Sequence, residues 1–285
     1  MNYKVKTLAL LLAVAAGNSA RAQQATYAQG CKSYTFTGSN ASGSGDITYQ
    51  WYRDGQPISG ATGKDYVLPL KQAYGENVEF KRGVMSSGCP GDISFSDIIS
   101  LTFFGLKIDT LCWANTNVDA PNTFATQPDM YTQFYQWNRE TAWATTGTVS
   151  GWNSTGDTSV TWTVNPCPAG WRLPRQPEYA ALHNSGNTWA NARTRGNTLA
   201  GYFYGPAHAT CSLPSNMVGC IFMSAAGARR SADGAVSYRN THGTYWMNQS
   251  SANGVYGYGL YFLNTGSDAA MTHDKADGFT IRCVQ

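Results

Sequence analysis

Hydrophobic and polar residues alternate along Ile47-Thr48-Tyr49-Gln50-Trp51-Tyr52, which places Ile47, Tyr49 and Trp51 on one face of a predicted strand. Asp54-Gly55 follows and supplies the two positive-φ residues of a tight hairpin turn. Val78 and Phe80 alternate with Glu79 and Lys81, and the run Ile99, Leu101, Phe103 closes the stretch. Short strands, Gly/Ser turns and one central Trp predict an all-β antiparallel sandwich over 23–104. Farther along, 174–184 is the best helix candidate. Tyr179 and Leu182 recur there at helical spacing, Trp171 and Pro174 anchor its start, and Gly186 follows as a stop. Gly227, Gly234 and Gly243 punctuate predicted hairpins, with Asp233-Gly234 the clearest turn signal. Leu260 and Phe262 alternate with Tyr261, which predicts a central strand with one wet face.

The start of the chain has another pattern. A basic stretch (Lys4, Lys6) precedes the apolar run 8–16, and Ala20-Arg21-Ala22 offers small residues at the two positions a signal peptidase reads. Residues 1–22 are therefore expected to be a signal peptide, too short for a membrane span. The first Cys after it is Cys31, so lipoprotein attachment is not expected, and no later stretch is long and apolar enough to insert in a membrane. Loss of Lys4, Lys6 and Arg21 brings the 20 basic residues level with the 17 acidic ones. A balanced chain has no bulk field to attract nucleic acid. Charged residues make up 13% of the sequence, about half the usual share. Polarity comes instead from Gly, Ser, Thr and Asn beside many Tyr and Trp, a surface suited to uncharged partners.

Eight of the nine Trp lie beyond residue 110, which argues for two domains with different cores. Seven Cys in an exported chain read first as disulfides. The expected pairs are Cys31–Cys89, Cys167–Cys283 and Cys211–Cys220. Cys112, between Leu111 and Trp113, is left as a buried free thiol.

The string YQWYRDGQPISGAT (49–62) resembles bacterial Ig-like modules, whose third strand carries this Trp and a following D-G hairpin. Cys31 lies farther before Trp51 than in antibody domains, and modules of this kind usually act as spacers. In the second half, CWANTNVDAPNTF (112–124), FYQWNRETAW (134–143) and NPCPAGWRLPRQPEYAAL (165–182) occur in order. They are followed by GCIFMSAAGARRSADGAV (219–236), GTYWMN (243–248) and GFTIRCV (278–284). Together these blocks resemble the Fibrobacter succinogenes major paralogous domain family. The resemblance implies a C-type-lectin-like α+β fold with long loops over 105–285, on surface or secreted proteins of Gram-negative bacteria. It also implies that Cys167–Cys283 joins the domain's ends. Trp246-Met247-Asn248 and Met223-Ser224 depart from the family's pattern on the side that faces ligand, so ligand identity does not carry over.

The candidate chemistry points to binding. Gln127-Pro128-Asp129 has the letters of a calcium motif but lies before the helix, far from where lectins hold it. His208 with Cys211 and Cys220 gives three zinc ligands where a structural site needs four. No metal and no cofactor are expected. The carboxylates are scattered, and the four His look like loop or packing residues, so no enzyme is expected either. Between 247 and 277 the chain mixes Tyr with Asn, Gly, Ser and Thr, which suits a recognition surface. The candidate ligand residues are Asn248, Gln249, Asn253, Tyr256, Tyr261, Asn264 and His273.

The expectation is an exported adhesin-like protein, in the periplasm, on the cell surface or secreted. Its lectin-like domain would bind a glycan or protein ligand of a cell surface, held on an Ig-like spacer. The alternatives are a structural pilus-tip or envelope assembly subunit, and a variable binding protein diversified by a retroelement.

Overall fold

The computed structural model describes residues 9–10, 28–29, 31, 34–68, 77–103, 105–214 and 216–285. Those residues are β-rich with one short helix, and the chain divides into two units, Met1–Phe104 and Gly105–Gln285. The predicted signal peptide lies outside the described residues apart from Ala9–Leu10, which pair in parallel with Thr37 and Gly38.

In the first unit two sheets share one apolar core. The larger runs in spatial order Ala28–Gln29, Ile99–Phe103, Asn77–Ser86, Ile47–Arg53 and Gln56–Pro57, and Ser94–Phe95 also pairs with Asn77–Ser86. The smaller joins Tyr34–Gly38 to Tyr66–Leu68. Alternation decides what faces inward. Trp51, Val78 and Phe80 are buried, and the Trp51 ring lies 5.3 Å from Phe36 of the other sheet. Asp54 and Gly55 take φ of 48° and 79°, so the predicted tight turn forms.

The cysteines correct one expectation. Cys31 and Cys89 do not pair, and Cys112 is not free. Cys89 is an exposed free thiol, whereas Cys31 and Cys112 are both disulfide-bonded. Cys89 sits in a turn that its own backbone closes, with its N–H on Ser86 O and its carbonyl accepting from Asp92 N. Cys112 is buried as its apolar neighbours predict, but burial does not tell a thiol from a half-cystine. Cysteine order alone leaves connectivity open. Cys167–Cys283 and Cys211–Cys220 are both present.

The second unit packs small sheets and its helix around an apolar core. Trp113, Tyr179, Tyr204, Ile221, Tyr245 and Phe262 belong to it. The helix spans Gln176–Asn184 and buries Tyr179 and Leu182, with Pro177 in its first turn and Gly186 (φ 108°) just past its end. Glu178 fixes the start by accepting Arg175 N at 2.7 Å and both guanidinium nitrogens of Arg172. Both ends of the unit meet here. Gln285 N donates to Cys112 O, Ala114 N to Cys283 O, and Arg172 pairs with Val284. Arg282, fully buried, donates to Asn117 Oδ1, Ala114 O and Phe222 O, so each of its contacts is charge-assisted.

Two sheets position the site. A hairpin sheet runs His242–Ser250, Tyr256–Leu263 and Gly266–Asp274. A five-stranded sheet runs Ala142–Trp143, Phe134–Gln136, Gly278–Phe279, Ala228–Arg229 and Val236–Ser237. Tyr245 bridges to Thr280 and joins the two. Gly243 is not a turn residue as its spacing suggested. It lies inside the first strand of the hairpin sheet, where a Cβ would come 2.0 Å from the Phe262 ring.

Candidate ligand pocket

The pocket begins with a hairpin. Asp233-Gly234 turns the chain between Ala228–Arg229 and Val236–Ser237, Gly234 taking φ 67°. Asp233 accepts Ala235 N through one oxygen and pairs with Arg230 through the other at 2.6 Å. Arg229, fully buried, is spent on carbonyls: Ala144, Thr146, Gly147 and Gly234 all accept from its guanidinium. After the hairpin, Tyr238 and Asn240 both adopt left-handed backbone, φ 61° and 58°. Tyr238 O accepts Thr241 N, His242 N and Thr241 Oγ1, which locks that turn.

The turn delivers Tyr238 to the rim of a cavity of about 280 Å³. Its walls are an arc of rings. Tyr238 lies 4.6 Å from His242, His242 5.6 Å from Tyr261, Tyr261 6.1 Å from His273, and His273 4.7 Å from Phe279. Period-two geometry explains the gathering, because His242 with Thr244, and Met271 with His273, each share one face of the hairpin sheet. Gly259 gives the His273 ring its room, since a Cβ there would sit 3.1 Å from it. Asp277 reaches the same cavity and accepts Ser231 N at 2.7 Å.

Burial sets the charge states. It lowers His273 to about 4, with Asp268 opposing, and lowers His242 in the same direction. Burial raises the Asp277 carboxyl to about 6, and Asp274 adds to that while Ser231 opposes it. The two large shifts act oppositely on stability. Unfolded His273 takes a proton below 6.5 that the folded residue refuses until about 4, so acid removes stability in that window. Folded Asp277 is protonated below about 6 whereas its ordinary value is 3.8, so acid adds stability in that window. The pair largely offsets. Asp277→Asn leaves His273 unopposed, so its Tm is expected to fall more steeply than wild type between pH 7 and 4.5, as calorimetry would show.

The seven residues expected to bind do not gather at one place. Tyr261 and His273 line the cavity. Asn248 donates its N–H to Pro174 O, and Gln249 Oε1 caps the helix by accepting Gln176 N. Asn253 closes its own turn by accepting Ser251 Oγ and Val255 N. Tyr256 is exposed at the start of its strand, and Asn264 is exposed in the next hairpin turn. Composition alone missed Tyr238, His242, Met271 and Asp277. The paired alternation of His242/Thr244 with Met271/His273 was the signal that could have found His242 and Met271.

The other chemical candidates have structural partners. Asp129 accepts Thr198 N, and His208 Nδ1 shares a hydrogen bond with Thr188 Oγ1. Among the described residues no group of three or more His, Cys, Asp and Glu could hold a metal ion. The chain matches no family model, no curated protein and no solved structure.

Proposed function

We propose that the protein is an exported, adhesin-like binding protein. The back unit reads as a C-type-lectin-like domain that holds a glycan or protein of a cell surface at the ring-lined cavity. The front unit reads as an Ig-like spacer. One observation carries this reading: Tyr238 is 60% exposed at the cavity rim although its backbone is left-handed. A bulky side chain in that region costs about 1–3 kcal/mol, and strained residues of this kind cluster at functional sites. Six bonded cysteines add support, because structural disulfides persist in oxidising compartments. Among the described residues no helix is long and apolar enough to cross a membrane.

The test is capture from an array of host and bacterial glycans and host surface proteins, with and without calcium, by the purified oxidised protein. Capture lost on Tyr261→Ala supports the reading, and capture indifferent to it moves the site away from the cavity. Tyr238→Asn separates folding from binding. Asn tolerates the left-handed region, so Tm is expected to hold or rise while capture disappears. A large drop in Tm would instead make Tyr238 a structural residue.

A second reading, an assembly subunit of a pilus tip or envelope, is favoured by one patch. Val160, Val255 and Tyr256 are exposed, and Ser250 hydrogen-bonds to Val160 O beside the turn that carries the other two. Copurification from cells with filament subunits, lost on Val255→Lys, would support it.

A further inference from the structure

We propose that the group held in the cavity is an ammonium ion, presented by a small molecule or by a lysine-type side chain. The inference rests on the reading of this cavity as the ligand site and adds what chemistry it selects. The walls are the first reason. Tyr238, Tyr261 and Phe279 line one cavity, with two imidazoles between them. The negative faces of such rings attract a cation and give an anion nothing.

Charge is the second reason. Two arginines line the cavity, and both are already engaged, Arg229 by four backbone carbonyls and Arg230 by Asp233. Arg229 keeps its positive charge but turns it to those carbonyls, and Asp277 is the acidic wall group, with no ion pair among the described residues. Acidic charges act on Asp277 and His273, while the cation Arg239 acts on Arg229. Asp274 faces Asp277, and Asp268 faces His273. The two imidazoles are kept neutral at neutral pH by burial and so add no repulsion. An unpaired carboxylate under aromatic walls loses nothing to an ammonium ligand, whereas a neutral ring would leave that charge uncompensated.

Size is the third. A cavity of about 280 Å³ admits a trimethylammonium head and leaves room for the chain that bears it.

The experiment is titration calorimetry of the purified oxidised protein with choline and with its neutral isostere 3,3-dimethylbutan-1-ol. A peptide containing trimethyllysine forms the third arm. The expected result is that at least one cation binds about tenfold or more tighter than the isostere. Asp277→Asn should remove that preference while keeping the fold, since Asn can still accept Ser231 N. Lowering the pH from 7.5 to 5 should weaken cation binding about tenfold, because roughly a tenth of Asp277 stays ionised. A peptide preferred over choline assigns the ammonium to a protein partner, and the reverse assigns it to a small molecule or headgroup. Equal affinity for the isostere, or no binding of either cation, overturns the proposal. If array capture is then still lost on Tyr261→Ala, the binding reading stands and the ammonium assignment alone falls.

Discussion

Replacing both Cys167 and Cys283 by serine is expected to cost about 4–5 kcal/mol of stability. The bridge spans a sequence separation of 116 residues, which is where constraint of the unfolded chain is greatest. Its native surroundings raise the stakes. Cys283 O accepts Ala114 N, its neighbour Val284 pairs with both Trp113 and Arg172, and Gln285 N donates to Cys112 O. One bridge therefore secures the place where the unit's beginning and end form a common backbone network. Urea unfolding followed by Trp fluorescence checks the figure, and a loss below about 1 kcal/mol would show that the network holds without the bridge.

Trp246→Ala carries the second large effect, about 3–5 kcal/mol. The ring is fully buried, lies 4.4 Å from Phe279 and 5.3 Å from Trp137, and donates Nε1–H to Tyr135 O at 2.7 Å. Truncation leaves a cavity and an unsatisfied buried carbonyl together. Trp246 also supports the ring-lined cavity from beneath, because Phe279 and His273 both pack against it. Stability and ligand capture should fall together in Trp246→Ala, and Trp246→Phe should recover part of both. Denaturation and array capture on the same preparations check this.

Much of this architecture was legible where one physical rule dominates. Alternation around Trp51, the Asp54-Gly55 turn and the run through Leu260 and Phe262 each obey strand geometry locally, and each forms. The helix at Gln176–Asn184 follows from Tyr179, Leu182 and Gly186 in the same way. The division of the chain falls at Phe104/Gly105, just before tryptophans become frequent. Features set by distant partners were not legible. Cys89 and Cys112 exchange their expected states because pairing is decided in space. Gln249 and Asn253 have the composition of recognition residues, yet the backbone takes their polar atoms. His242 reads as a packing residue until the hairpin sheet sets it beside Tyr261. Tyr238 is the least readable of all, since nothing in its neighbours announces a left-handed aromatic residue.

We propose that ligand is held at the arc of rings beside Tyr238. The most direct test is the affinity of one array-identified ligand for wild type, Tyr238→Asn and Tyr256→Ala, measured side by side. Tyr256 is also exposed to solvent but stands outside the cavity, so it controls for loss of an exposed tyrosine. At least about a tenfold loss is expected for Tyr238→Asn and an unchanged affinity for Tyr256→Ala. Unchanged affinity in Tyr238→Asn with loss in Tyr256→Ala would contradict the proposal and place recognition on the Val160, Val255 and Tyr256 patch.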